Sequence, residues 1–298
     1  MKQAFKSLSF FFILMLSFVL VPSLTYSEGS TSQGDKIPSP LNPGDYSPSQ
    51  SSEVEVYWLS SKILKEKRSF MVNLPSNYHK SKKRYPVLYT LDGNSDLLKY
   101  ILQQLSMKNM SRKIPELIIV LIKNTIRVRD MSPIKTSFCD TPGAAKFLGF
   151  IKSELLPWVD KKFRTSDFRI LNGQSYSAVF TAFTLLEDPT LFNGYIATSL
   201  YFPQSARYFK DAFRKSLASK DYNQCYFYFS RGKLDHHYNK ENKTAIALTA
   251  INKAIQEINP AGFNWKYMVY PEHGHLPEPS FADGLAWIFS QSKVNSRH

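Results

Sequence analysis

The chain has 298 residues, 43% of them hydrophobic, with 38 Lys and Arg against 24 Asp and Glu and a formal net charge of +14. That length and apolar content suffice to bury one sizeable α/β core. The basic residues are scattered, as in Lys62, Lys65, Lys67 and Arg68 and then Lys80, Lys82, Lys83 and Arg84. This excludes a nucleic-acid-binding motif and leaves the charge as an aid to solubility and weak steering of anionic ligands.

Residues 1–27 read as a secretory signal peptide. Lys2 and Lys6 form a positive start, Leu8 to Val21 is a nearly unbroken apolar run, and Thr25-Tyr26-Ser27 offers small residues for cleavage after Ser27. The apolar run is short for a membrane span, and no Cys lies nearby to carry a lipid anchor. The expected product is secreted or periplasmic, without stable membrane insertion after cleavage. Residues 28–52 are rich in Ser, Pro and Gly and read as a flexible leader, residues 53–292 as one folded domain, and residues 293–298 as a tail.

Within the domain, Val54–Leu59 and Ser69–Leu74 alternate as two strands joined by a short connection, the expected antiparallel edge. Pro86–Leu91 and Leu117–Ile122 are continuously apolar, as strands buried on both faces should be. A helix is expected between them, over Ser95–Ser106, and another over Ala144–Phe163. Phe168–Leu171 is a strand that leads into a helix beginning near Val179. Strands follow at Tyr195–Thr198, Cys225–Phe229 and Trp265–Val269, and helices at Thr244–Ile258 and Phe281–Phe289. Strands alternating with helices predict a mostly parallel sheet covered on both faces, the α/β-hydrolase architecture.

The sharpest chemical signal is Gly173-Gln174-Ser175-Tyr176-Ser177. A serine between a strand and a helix, with small residues two places away on each side, is the pattern of a nucleophile elbow. In this fold an acid and then a histidine follow the nucleophile, each just beyond a later strand. Asp235 lies beyond Cys225–Phe229, with Asp221 and Glu241 nearby as rivals. His273 lies beyond Trp265–Val269 and is taken as the base, with His275 as a neighbouring turn residue. An oxyanion would be held by the backbone amide of Tyr176 and by that of Gly93 or Asn94, in the turn after the Pro86–Leu91 strand. His236, His237, His273 and His275 do not have metal-ligand spacing, so neither metal nor organic cofactor is expected. Cys139 and Cys225 could form a disulfide or remain buried thiols; neither has a nucleophile's setting in the sequence.

Several blocks resemble a family of α/β-hydrolase esterases that contains enterochelin-type siderophore esterases and S-formylglutathione hydrolases. They are Tyr85–Gly93; Asn124 with Arg127, Arg129, Asp130 and Pro133; Phe147 to Pro157; Leu185 to Phe192; and His273-Gly274 with Pro277, Ser280, Asp283, Gly284 and Leu285. The resemblance spans Arg68 to Phe289 and implies a Ser175–Asp235–His273 triad, favouring His273 over His275. It implies a serine esterase acting on small-molecule carboxylic esters, siderophore lactones among them, which the signal peptide would make an exported one. An acyltransferase with the same triad, or a binding protein that has lost catalysis, are the alternatives. The chain departs from the family at Gln174, where His is usual, at Ser177 and Ala178, where Gly is usual, at Leu200 and at His275. No long insertion between strand ends suggests a lid, and the oligomeric state is left open.

Overall fold

Short, continuously apolar strands can be satisfied only in the middle of a covered sheet, and this is where the computed structural model places them. It describes residues 54–107, 110, 113–200, 205–235 and 243–292. The expected signal peptide, leader and tail lie outside the described residues, as do His236, His237 and Glu241.

In chain order the elements are β1 (Val54–Ser61), β2 (Glu66–Asn73), β3 (Tyr85–Thr90), α1 (Ser95–Ser106), β4 (Ile118–Ile122), α2 (Arg127–Met131), α3 (Ala144–Phe150), α4 (Leu156–Lys162), β5 (Thr165–Gln174), α5 (Tyr176–Glu187), β6 (Gly194–Thr198), α6 (Ala206–Ser219), β7 (Cys225–Gly232), α7 (Lys243–Ile258), β8 (Phe263–Tyr270) and α8 (Pro279–Gln291). The eight strands form one sheet in the order β1-β2-β4-β3-β5-β6-β7-β8. The β1–β2 and β2–β4 pairings are antiparallel, and every later pairing is parallel. This is the α/β-hydrolase fold, with the expected antiparallel edge at its N-terminal side.

Side chains alternate between the two faces with period two. Val87, Tyr89, Val120, Phe227 and Phe229 join a core roofed by Phe147, Phe150, Phe180, Phe209 and Leu248. Leu88, Ile119, Leu121, Tyr226 and Tyr228 point the other way, onto Leu97, Ile101, Phe281, Leu285 and Ile288. Two helices, α1 and α8, therefore cover one face, and α3 to α7 cover the other. Asn94 starts α1 by accepting the Leu97 N–H on its side-chain oxygen at 2.8 Å. The single helix expected from Ala144 to Phe163 is interrupted by a π turn at Ile151–Leu155. That wider turn ends two residues before Pro157, which has no N–H to give to a regular ladder.

A buried ion cluster ties β2 to α2. Arg68, 1% exposed, donates to Asp130 Oδ2 at 2.7 Å and to Glu66 Oε1 at 2.9 Å, with its guanidinium 4.9 Å from the Phe147 ring centre. Arg129 completes the cluster with Glu66 and Asp130, and its hydrogen bond is the main reason that the Glu66 carboxyl is held below its ordinary range. Removing one partner of a buried pair leaves the other charge uncompensated. Asp130→Ala is accordingly expected to cost about 3–5 kcal/mol in urea unfolding, near the lower figure because Glu66 keeps one contact to Arg68.

Candidate active site

All the parallel strands end on one edge of the sheet, and the site is built from the ends of β3, β5, β6, β7 and β8. The turn from β5 into α5 places Ser175 at φ 55°, ψ −119°, a conformation that a non-glycine residue adopts only under constraint. Two features hold it there. The Ser175 N–H donates to the Thr198 carbonyl at the end of β6, at 2.8 Å. Gly173 lets the first turn of α5 fold back closely: a Cβ there would lie 2.5 Å from the Ser177 carbonyl oxygen and 2.5 Å from Thr181 Oγ1. The hydroxyl of Ser175 thus stands at the N-terminus of a twelve-residue helix, where free N–H groups and the helix dipole favour negative charge.

The histidine that meets this serine is His275. Its Nε2 is 2.8 Å from Ser175 Oγ and its Nδ1 is 2.6 Å from Asp235 Oδ2. Asp235 is buried, with its side chain fully shielded, and the His275 side chain is 9% exposed. A neutral imidazole with its proton on Nδ1, facing the carboxylate, leaves Nε2 as the acceptor for the serine hydroxyl.

His273, the sequence's candidate for the base, is not at the serine, and the reason lies in how the chain leaves β8. The strand runs on to Tyr270, and the following turn must then cross the end of β7. Residues 273 and 274 are spent on that crossing. The His273 carbonyl accepts the Leu234 N–H at 3.0 Å, and the two carbonyls pass so close to Gly232 that a Cβ would lie 2.3 Å from the oxygen of His273 and 1.9 Å from that of Gly274. The His273 ring packs edge-on against Tyr270, and its buried Nδ1 has no hydrogen-bond partner among the described residues. The chain reaches Ser175 two residues later. There Leu276, at φ 55°, donates its N–H to the buried Ser199 Oγ at 3.0 Å, anchoring the histidine loop to the end of β6. Asp221, the rival acid, instead accepts the Asn223 N–H in an exposed turn.

Of the expected oxyanion donors, Gly93 is taken. Its N–H donates to the Ile122 carbonyl at 2.8 Å, and a Cβ there would strike the backbone of Leu121 at 2.6 Å. Gly93 therefore serves the close approach of its turn to β4. The backbone N–H groups of Tyr176 and Asn94 have no acceptor among the described residues.

A second polar centre lies beside the elbow and was missed as a unit in the sequence. Asp92, at φ 58°, receives Arg127 Nε and Asn124 Nδ2 on Oδ1, both at 2.7 Å, and Arg127 Nη2 and Ser177 Oγ on Oδ2, both at 2.8 Å. Burial works against the charged carboxylate, but these donors outweigh it and hold Asp92 below its ordinary range. Arg127 and Asn124 were visible in the block from Asn124 to Pro133, but their partner stands in another block. The Ser280, Asp283 and Gly284 block braces the strand ends from below. Ser280 Oγ meets Ser230 Oγ at 2.6 Å and Thr198 Oγ1 at 3.1 Å, Asp283 accepts the Tyr270 hydroxyl at 2.8 Å, and Gly284 packs on Tyr228. Both cysteines are free and buried, and burial drives the Cys225 thiol well above its ordinary range, away from nucleophilic use.

Residues 61–287 match the family described as Putative esterase. The chain belongs to this family. Its members' chemistry makes it a carboxylic-ester hydrolase on the α/β-hydrolase scaffold. It is similar to the IroE-like serine hydrolase from Shewanella oneidensis, at 28% identity over 80% of each chain and a TM-score of 0.68. It is similar in fold to the siderophore hydrolase EstA from Aspergillus nidulans, at 18% identity over 85% of this chain and 98% of that one, with a TM-score of 0.65. The enterobactin and salmochelin hydrolase IroE shares the fold at 18% identity, 80% and 95% coverage, and a TM-score of 0.57. No curated protein matches the chain.

The two histidines can be separated by substitution. His275→Ala is expected to lower kcat on an activated ester by at least about 10³-fold, whereas His273→Ala stays within about threefold of the parent. Initial rates on p-nitrophenyl butyrate, normalised to folded protein, decide between them.

Proposed function

We propose that this esterase is an exported serine hydrolase in which Ser175, His275 and Asp235 form the triad. The observation that carries the reading is the continuous hydrogen-bonded line from Ser175 Oγ through both His275 nitrogens to the buried Asp235 carboxylate. Ser175 Oγ attacks the ester carbonyl carbon as its proton passes to His275 Nε2. Asp235 holds the Nδ1–H tautomer before the transfer and stabilises the imidazolium after it. The amides of Tyr176 and Asn94 receive the negative charge that develops on the carbonyl oxygen. Collapse of the tetrahedral intermediate breaks the bond to the leaving alcohol, which takes the proton from His275, and Ser175 keeps the acyl group. Water then enters, gives its proton to His275 and attacks the acyl carbon, releasing the carboxylic acid and restoring Ser175.

The departures at Ser177 and Ala178 are compatible with this chemistry. Both side chains are buried, and the Ser177 hydroxyl turns to Asp92 and the Gln174 backbone rather than to His275. Catalytic loss would require a displaced nucleophile, and the short Ser175–His275 contact supports the opposite. Export is supported by the positive start, apolar run and small cleavage residues of positions 1–27. The substrate class is a soluble carboxylic ester. Siderophore lactones head the candidates because two of the similar proteins named above, EstA and IroE, are siderophore hydrolases and because a basic protein suits an anionic ferric catecholate.

The mature protein and Ser175→Ala are to be compared on p-nitrophenyl acetate and butyrate, with a fluorophosphonate label located by mass spectrometry and a catecholate trilactone followed by chromatography. The expected result is label on Ser175, loss of at least about 10³-fold in kcat in the variant, and conversion of the trilactone to linear esters. Absence of both label and turnover in the parent would point to a binding protein. Turnover of the simple esters alone would move the natural substrate away from siderophores.

A further inference from the structure

The four hydrogen bonds received by Asp92 join three separate pieces of chain. Asp92 itself belongs to the turn after β3, Asn124 and Arg127 to the segment that runs from β4 into the start of α2, and Ser177 to the elbow. Sequence distance makes the consequence specific. Asp92 stands two residues before Asn94, and Ser177 one residue after Tyr176, so the Asp92–Ser177 bond spans directly between the two loops that carry the unclaimed amides. β3 and β5 are neighbours in the sheet, and the Leu91 N–H donates to the Asn172 carbonyl at 3.0 Å just beneath this bridge. Arg127 Nη2 also reaches the Gln174 carbonyl, at 3.4 Å, and Ser177 Oγ accepts the Gln174 N–H at 2.8 Å. Both sides of the residue before the nucleophile are thereby held by the same cluster.

Resting on the esterase reading, we propose that Asp92 is a positioning residue for the oxyanion side of the site, acting through Ser177 to fix the Tyr176 amide opposite the Asn94 amide. The Ser177 hydroxyl has one proton and two acceptors at 2.8 Å, Asp92 Oδ2 and the Gln174 carbonyl. A charged acceptor makes the stronger bond, which favours Asp92. The bidentate Arg127 fork and the Asn124 amide fix the carboxylate in turn, so that Ser177 bonds to a group with little freedom of its own. Two amides aimed at one oxygen lose effect quickly when their spacing changes: a displacement of about 1 Å is enough to cost about 10²-fold in rate. Because the oxyanion exists only on the way through the tetrahedral intermediate, the loss falls on kcat and leaves substrate binding nearly untouched.

The test compares the parent with Ser177→Ala, which deletes the bridging hydroxyl, and Asp92→Asn, which keeps the shape and removes the charge. Active sites are titrated with fluorophosphonate, and kcat and KM for p-nitrophenyl butyrate are expressed per titrated site. Per site, kcat is expected to fall about 100-fold in Ser177→Ala and about 10-fold in Asp92→Asn, which keeps a neutral acceptor for the Ser177 hydroxyl, with KM within about threefold of the parent. A purely structural role would lower the number of titratable sites and the melting temperature while leaving kcat per site within about twofold; that result overturns the proposal. Should Asp92→Asn fail to fold, Ser177→Ala decides alone. A parent that neither labels nor turns over overturns the esterase reading and this proposal with it, whereas an active parent with unaltered variants overturns the positioning role only.

Discussion

The turn between β5 and α5 is the constraint on which the other parts of the site depend. A strand must give way to a helix within a single residue, and Ser175 takes up the whole change of direction at φ 55°. Such a conformation is unfavourable by itself and persists only where its surroundings enforce it. The enforcement comes from the absence of a side chain at Gly173, the Thr198 carbonyl on the next strand, and the Ser177 hydroxyl bonded back to the Gln174 N–H. The result is a half-buried hydroxyl on a rigid support, directed at His275 Nε2. A flexible loop carrying the same serine would offer its hydroxyl in many directions.

Once the serine is fixed, the parallel sheet brings in its partners. Asp235 and His275 stand sixty and a hundred residues along the chain from Ser175, yet they arrive from the ends of β7 and β8 because successive parallel strands finish on the same edge. Proximity alone would not set their geometry. Gly232 admits the histidine loop against β7, and Ser199 catches the Leu276 amide on the far side of His275. Hydroxyl contacts among Thr198, Ser230 and Ser280 join the ends of β6, β7 and α8 beneath the site. Two further carboxylates are each matched by an arginine, Asp92 by Arg127 and Asp130 by Arg68.

Much of this was legible in the sequence because the relevant signals are local. Continuous apolar runs marked β3 and β4 as interior strands, and the small residues around Ser175 marked the turn. What local patterns could not convey was distance travelled by a loop. Two histidines separated by one residue look equivalent in a turn, and the resemblance pointed to the one followed by Gly. The choice is made by the crossing over Gly232, a contact between segments some forty residues apart. Gly93 was misjudged for a related reason: a turn glycine offers an amide, but β4 had already claimed it through Ile122. Helix α6 was not among the expected elements, although Phe209, Phe213 and Leu217 recur at helical spacing. Asp130 pairs with its sequence neighbour Arg129 and with Arg68, and only the fold could bring in the latter.

Ser177 shows how a departure from a family pattern is accommodated. Gly at this position keeps the elbow open by being small, whereas serine brings a hydroxyl into a fully buried place, where an unsatisfied polar group would be costly. The hydroxyl is fully engaged here: it accepts from the Gln174 N–H and donates toward Asp92 or the Gln174 carbonyl. Its acceptance of an N–H from just upstream of the helix resembles the reciprocal half of a capping box, in which a first-turn side chain turns back to serve the chain entering the helix. The substitution therefore adds a bond between helix and turn at the place where the backbone is most constrained. Its hydroxyl points to the Asp92 side, away from the Ser175–His275 line. The departure at Ser177 therefore bears on the rigidity of the turn that holds Ser175, through the bonds to Gln174 and Asp92.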